Sequence, residues 1–129
     1  MLLDASAFAR VREFEYFTID VPEGWAVTED GLTVTLISPD NACMIMIDID
    51  QIPAGASLKA LADQTAKELK GSKPVKNEDS QYIFTYKQND KLGVAVFTQD
   101  DEGAGIYSFV TQLGNHRQAE AVLNSLKEK

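Results

Sequence analysis

The feature that most constrains the fold is a repeated alternation of apolar and polar residues, interrupted by short turn sequences. The alternation first occurs at residues 17–21, where Phe, Ile and Val alternate with Thr and Asp. A two-residue period places the apolar side chains on one face of a β-strand. Because the turns between most such segments are short, neighbouring strands must run antiparallel. The chain is therefore predicted to form a predominantly antiparallel sheet.

The stretch from Phe17 to Leu36 is predicted to be a corner followed by a hairpin. Val21-Pro22-Glu23-Gly24 has its proline and glycine where a type I turn places them. Asp30-Gly31 tolerates the backbone of a two-residue hairpin turn, and a turn at this pair would set Glu29 opposite Leu32. We therefore interpret this stretch as sheet scaffold.

A second hairpin is predicted around Asn89-Asp90. A two-residue turn at this pair sets Tyr86 opposite Gly93 and Phe84 opposite Ala95. Large side chains then lie against small ones, which favours this register.

Residues 43–50 are predicted to form an interior strand whose last carboxylates emerge into solvent. Both of its faces are apolar in the first half, and such a strand is typically covered on both sides. One face carries Ile45, Ile47 and Ile49, and the other carries Met44, Met46, Asp48 and Asp50.

Two amphipathic helices are predicted, one in the middle of the chain and one at its end. Ser57 is a good N-cap for the first helix, and Gly71 stands where a C-cap glycine belongs. Asp63 and Lys67 have the i,i+4 spacing of a helical ion pair. The second helix is capped by Asn115, and its apolar stripe consists of Ala119, Val122, Leu123 and Leu126. This pattern predicts an α+β fold in which helices flank the sheet as an α/β/α sandwich.

The length and the charge distribution narrow the class of protein. A chain of 129 residues has the size of one domain, so residues 1–129 are predicted to form a single domain. Residues 1–50 contain ten acidic residues and two arginines, whereas residues 51–129 contain ten acidic and ten basic residues, so the net charge of −8 comes from the first part. This acidity opposes binding to nucleic acid and favours a protein partner with a basic surface. The predicted partner-binding residues are Glu23, Glu29, Asp30, Asp48, Asp50, Asp100, Asp101 and Glu102.

No set of residues predicts a catalytic centre. His116 is the only histidine, which excludes zinc sites built on a histidine pair, and it is predicted to be a solvated residue in the first turn of the last helix. Cys43 is predicted to be buried as a small hydrophobe. Asp48 and Asp50 share a strand face, but the residues that follow them do not fit a calcium loop. The protein is predicted not to be an enzyme and to hold no cofactor or metal.

The chain is predicted to be a soluble protein without membrane insertion, because no apolar run approaches the ~18 residues of a membrane helix. Asp4 lies where a secretory signal would be apolar, and the single cysteine favours a reducing compartment. We therefore expect a cytoplasmic protein that is a monomer or a homodimer.

Three segments together resemble the PsbP-like family: EYFTIDVPEGW, SLKALA and AEAVLNSLK. That family is similar in fold to the Mog-type Ran-binding import factor and to bacterial DcrB-like domains of unknown function. The resemblance implies an antiparallel sheet between helices and a non-enzymatic role in binding a protein or a complex. No functional residue of the family matches this sequence, so no site residue is carried over.

The leading hypothesis is an accessory or adaptor protein that binds a partner through its acidic surface. One alternative is a secretion-type chaperone, which would need an exposed apolar surface for dimerisation. A second alternative is an enzyme or small-ligand-binding protein with a pocket between helix and sheet, and with Asp48 and Asp50 at its rim.

Overall fold

The computed structural model describes residues 9–99 and 105–128. These residues form two antiparallel sheets and two α-helices. In chain order the elements are β1 (Ala9–Glu13), β2 (Phe17–Pro22), β3 (Ala26–Asp30), β4 (Thr33–Ile37), β5 (Cys43–Gln51), α1 (Leu58–Glu68), β6 (Val75–Lys76), β7 (Tyr82–Gln88), β8 (Lys91–Gln99), β9 (Ile106–Gly114), α2 (Ala119–Asn124) and β10 (Lys127–Glu128).

The large sheet has the strand order β3-β4-β5-β9-β8-β7-β6, and every strand pair described in it is antiparallel. The small sheet has the order β1-β2-β10 and is also antiparallel. The predicted α+β class with a mostly antiparallel sheet is confirmed. The prediction that residues 43–50 form an interior strand is confirmed for its position in the sheet, because β5 lies between β4 and β9. The predicted cover on both sides is complete only for the isoleucine face, since the side chains of the other face are half-buried.

The two faces of the large sheet are covered by different layers. On one face, isoleucines of β5 pack with Phe17 and Ile19 of β2 and with Val122 of α2. On the other face, Phe84 and Phe97 pack beneath α1. Helix α1 packs on only part of the second face, over β7 and β8, whereas the first face is covered by the small sheet together with α2. The predicted α/β/α sandwich is therefore not confirmed. The sequence pattern had predicted a helix on the first face and no second sheet.

The hairpin of β7 and β8 has the predicted register. Tyr86 is paired with Gly93 and Phe84 with Ala95. The turn residues Asn89 and Asp90 both have positive φ, at 52° and 64°, as a type I′ turn requires. Gly93 is needed because a Cβ at that position would lie less than 3.0 Å from ring carbons of Tyr86.

The hairpin of β3 and β4 keeps the predicted faces but not the predicted partners. Glu29 is paired with Val34 rather than with Leu32, so the register differs by two residues. The turn lies at Gly31-Leu32, and Gly31 has φ +61°. Glycine at the first central position is typical of a type II′ turn, which explains why the turn lies one residue later than predicted.

The corner between β2 and β3 is also one residue later than predicted. The N–H of Trp25 donates to the carbonyl of Pro22 at 3.2 Å, so the turn spans residues 22–25 rather than 21–24. Gly24 has φ +90°, the value that a type II turn demands at its third position. The proline and glycine therefore define a type II turn instead of type I.

Helix α1 begins as predicted and ends differently. The hydroxyl of Ser57 accepts a hydrogen bond from the N–H of Ala60 at 3.1 Å, which confirms the N-cap. At the other end Lys70, with φ +55°, occupies the left-handed position predicted for Gly71. Gly71 serves a different purpose, because a Cβ there would lie 2.6 Å from the carbonyl oxygen of Thr85 on β7.

The predicted ion pair on α1 has a different partner. The ammonium group of Lys59 lies 2.7 Å from the carboxylate of Asp63, so Asp63 pairs with the preceding lysine and not with Lys67. Lys67 lies instead in the last turn of α1, where a positive charge interacts favourably with the helix dipole.

Helix α2 is shorter than predicted and is followed by a strand. Its N-cap position is Gln118 rather than Asn115. The hydroxyl of Ser125 donates to the carbonyl of Val122 at 2.6 Å and accepts from the N–H of Asp20 at 2.9 Å. These bonds end the helix and direct the chain onto β2, where β10 forms. The predicted apolar stripe of Ala119, Val122, Leu123 and Leu126 does pack against the core.

Candidate functional site

Helix α1 leaves part of its face of the large sheet open. Its main contacts are with β7 and β8, which lie at the opposite end of the sheet from β3. The side chains of β3, β4 and β5 on this face are exposed or half-buried. We call this surface the acidic sheet face, and define it by Asp30, Thr33, Thr35, Met44, Met46, Asp48 and Asp50.

The strand register aligns the carboxylates of this face. Asp30 is paired with Thr33, and Thr33 is paired in turn with Asp48. Because directly opposed residues share a face, the two aspartates flank the threonine in one row across the sheet. Asp50 lies on the same face about 7 Å along β5 by strand geometry, and is paired with Tyr107 of β9. The structure therefore brings together three of the predicted partner-binding residues.

Two carboxylates of this face, Asp48 and Asp50, act on the ionisation of neighbouring groups. Burial raises the pKa of Asp48, the neighbouring charge of Asp50 raises it further, and a hydrogen bond from Thr33 opposes both effects. Burial also raises the pKa of the Tyr107 hydroxyl, and the charges of Asp48 and Asp50 add to that shift. Residues 13–58 contain no Lys, Arg or His. A cation brought to this face from outside would therefore stabilise carboxylates that this part of the chain leaves uncompensated.

The acidic sheet face also has an apolar component. Met44 and Met46 are half-buried and pack at the margin of the core beneath α1. Methionine side chains are flexible and polarizable, so they adapt to varied partner surfaces. Carboxylates beside methionines suit a partner that presents basic and apolar side chains together.

The other predicted partner-binding residues lie elsewhere. Glu29 is exposed and belongs to the opposite face of the sheet, where it is paired with Val34. Glu23 is exposed in the turn between β2 and β3. Asp100, Asp101 and Glu102 lie outside the described residues, so their predicted role stays a prediction.

Cys43 has the predicted environment, whereas His116 does not. Cys43 is buried as predicted, and burial together with the charge of Asp40 raises the pKa of its thiol. His116 is not simply solvated: its ring packs edge-on against Trp25, with centroids 5.2 Å apart. Its Nδ1 accepts a hydrogen bond from the N–H of Gln118 at 3.1 Å, and the residue precedes α2 instead of lying in its first turn.

The described residues hold neither a candidate metal site nor a helix that could span a membrane. Within residues 9–99 and 105–128, no cluster of three or more His, Cys, Asp or Glu side chains has the arrangement of a metal site. In that same part of the chain, no helix has the length and apolar character needed to span a bilayer.

Two surfaces were missed by the sequence reasoning. One is an apolar patch on β8, where Leu92 is 57% exposed and Val94 is 41% exposed. The other, which we call the arginine cleft, has a volume of about 490 Å³ and is lined by Arg10, Arg12, Val21, Pro22, Glu23, Gly24 and Trp25. The sequence signal for the arginine cleft is the alternation of Arg10, Val11 and Arg12, which places both arginines on one face of β1.

Comparison with known proteins identifies no family. No protein-family model matches the chain, and no curated protein matches its sequence. A solved structure of a protein from Bacteroides thetaiotaomicron VPI-5482 is similar, with 18% sequence identity and a TM-score of 0.48. The match covers 88% of this chain and 45% of the other, so this chain spans less than half of that protein's length. A likeness at this level carries no argument about family or function, and the PsbP-like resemblance stays a prediction.

Proposed function

We propose that this protein is a non-catalytic accessory or adaptor protein that binds a protein partner through the acidic sheet face. The observation that carries the proposal is the alignment of Asp30, Asp48 and Asp50 on one half-open face. The partner would present lysine or arginine side chains beside apolar ones. The PsbP-like resemblance supports the same proposal, because it implies a binding role without chemistry.

Electrostatics would contribute mainly to the rate and specificity of this association. An exposed ion pair is worth about 0.2–1 kcal/mol, so three such pairs alone give weak binding. A row of like charges nevertheless attracts a basic surface over roughly 10 Å at an ionic strength of 0.1 M, which accelerates encounter. Apolar contact with Met44 and Met46 would supply affinity that does not depend on salt.

The test is affinity capture from native lysate at low salt, followed by mass spectrometry and repeated at high salt. The informative variant is Asp30→Asn/Asp48→Asn/Asp50→Asn, which removes three charges and preserves side-chain shape. Its matched control is Glu78→Gln/Asp79→Asn/Glu120→Gln, which also removes three charges, from the exposed turn before β7 and from α2. We expect a partner that is retained by the wild type and the control but lost by the triple variant and at high salt. Capture that is identical for all three proteins would contradict the proposal.

A secretion-type chaperone is the second candidate, and the exposed Leu92 and Val94 favour it. Such a protein would dimerise through an apolar surface. Light scattering at increasing concentration distinguishes the two: a strict monomer argues against the chaperone, whereas a dimer that is lost in Leu92→Lys/Val94→Lys supports it.

A further inference from the structure

Strand pairing places both arginines of β1 on the inner side of the small sheet. Arg10 is paired with Val21 and Arg12 with Ile19. Ile19 and Val21 are buried in the core between the two sheets, and paired residues share a face. The arginine side chains therefore point toward the large sheet. Because β1 is the edge strand of the small sheet, these side chains remain exposed and line the arginine cleft.

We propose that the arginine cleft binds a small organic anion. The carboxylate or phosphate group of the ligand lies between Arg10 and Arg12, and its apolar part lies against Trp25 and Pro22. A guanidinium group presents donors in a planar fork that matches both anionic groups, and such charge-assisted hydrogen bonds are short and strong. This site is separate from the acidic sheet face and does not depend on its proposed function.

Among the residues that the structure describes, neither arginine forms an ion pair with a carboxylate. Within residues 9–99 and 105–128, the one ion pair is between Lys59 and Asp63. The guanidinium of Arg12 lies 5.9 Å from the centre of the Phe14 ring, a contact that leaves its charge uncompensated. Side chains two residues apart on a strand are about 7 Å apart, so the two cations repel each other and an anion between them relieves that repulsion.

The apolar wall of the cleft is held in place. The indole N–H of Trp25 donates to the Oε1 of Gln118 at 3.0 Å, and the ring packs against His116. Trp25 is itself buried, so the wall does not need to become ordered when a ligand binds. A preorganised wall of this kind lowers the entropic cost of binding.

Glu23 makes the proposal more specific. Its carboxylate lies in the lining of the cleft and is exposed. It repels an anion, so its removal should strengthen binding, whereas removal of either arginine should weaken binding. Inward-pointing charges on an edge strand also serve to prevent strand pairing between molecules. If the arginines served only to prevent strand pairing, the protein would show no saturable binding of anions, and this result would overturn the proposal.

The experiment uses the fluorescence of Trp25, which is the only tryptophan in the chain. The wild-type protein is titrated with phenylacetate, phenyl phosphate, inorganic phosphate and the neutral analogue phenylacetamide. We expect a saturable change in emission with phenylacetate or phenyl phosphate, and the tighter of the two identifies the preferred anionic group. Binding of phenylacetamide with equal affinity would overturn the role of the arginines. Equal binding of inorganic phosphate and phenyl phosphate would overturn the role of the apolar wall.

Variants test the same assignment. Arg10→Gln and Arg12→Gln should each weaken binding about tenfold or more, the order expected for loss of a charge-assisted hydrogen bond. Glu23→Gln should tighten binding, and Lys73→Gln, which removes a cation beside α1, should leave it unchanged. Far-UV circular dichroism confirms that each variant is folded. Absence of saturable binding up to about 10 mM ligand, or equal binding by Arg10→Gln/Arg12→Gln, would refute the proposal.

Discussion

A hydrogen-bond chain inside the core allows a quantitative test of the fold. The hydroxyl oxygens of Tyr86 and Thr111 are 2.6 Å apart, and the Thr111 hydroxyl donates to the carbonyl of Val94 at 3.0 Å. Thr111 has one hydroxyl proton, which is used by Val94, so Tyr86 must donate to Thr111. Tyr86 is 5% exposed and Thr111 is 1% exposed, so water does not readily replace either partner.

The two single substitutions should differ in cost. Tyr86→Phe removes one donor and leaves the Thr111 hydroxyl bonded to Val94, so we expect a loss of about 0.5–1.5 kcal/mol in the free energy of unfolding. Thr111→Val leaves the Tyr86 hydroxyl buried without its acceptor, and an unsatisfied buried group costs about 1–3 kcal/mol. In Tyr86→Phe/Thr111→Val both hydroxyls are absent, so the double variant should lose about 1 kcal/mol less than the sum of the singles.

The assay is equilibrium unfolding in urea, followed by the fluorescence of Trp25 and by circular dichroism. Thr35→Val, at a half-buried position on the same sheet face, controls for the intrinsic effect of exchanging threonine for valine in a strand. Additivity of the two substitutions within about 0.3–0.5 kcal/mol would refute the hydrogen-bond chain. A Thr111→Val variant that is no less stable than Tyr86→Phe would refute the assigned direction of donation.

Three further predictions concern single positions. Asp48→Asn should raise the melting temperature at pH 7, because burial and the charge of Asp50 raise the Asp48 pKa, and the ionised carboxylate therefore destabilises the fold. The gain in melting temperature should shrink as the pH falls through the raised pKa toward 3.8. Thermal unfolding at several pH values measures this dependence. Gly71→Ala should cost about 1–3 kcal/mol in urea unfolding, because its Cβ would lie 2.6 Å from the carbonyl oxygen of Thr85; an unchanged midpoint would show that β7 shifts freely. Ser57→Ala should cost about 1 kcal/mol in the same assay, whereas Ser57→Asp, which retains a capping oxygen, should cost less.

The two hairpins show what local sequence does and does not determine. Asn89 and Asp90 both tolerate positive φ, and Tyr86 fits over Gly93, so turn chemistry and side-chain size predict one register. Asp30-Gly31 instead allows glycine at either central position of a two-residue turn. Both registers place the same side chains of β3 and β4 on the same faces, so the apolar pattern does not choose between them. Local rules therefore predicted the turn region but not the partners.

The end of the chain shows a second limit. The apolar spacing that begins at Ala119 predicts a helix, and the buried positions agree with it. The helix stops because Ser125 bonds to Asp20, a residue 105 positions earlier. A contact of that range leaves no signal in a local periodicity, so β10 and the small sheet to which it belongs could not be predicted from spacing alone.

The position of the acidic sheet face follows from the dimensions of the layers. Alternation in β5 predicts that the isoleucines share one face and that the methionines and aspartates share the other, but it does not predict which part of a face another element covers. Among the described residues the large sheet has seven strands, which at about 4.8 Å between strands gives a width near 29 Å. Helix α1 has 11 residues, so it is about 16 Å long and roughly 10 Å wide. Whichever way it crosses the strands, it shields about three of them at most. A single helix placed over β7 and β8 therefore does not reach β3 and β4, and Asp30 is exposed there, whereas Asp48 and Asp50 on β5 stay half-buried.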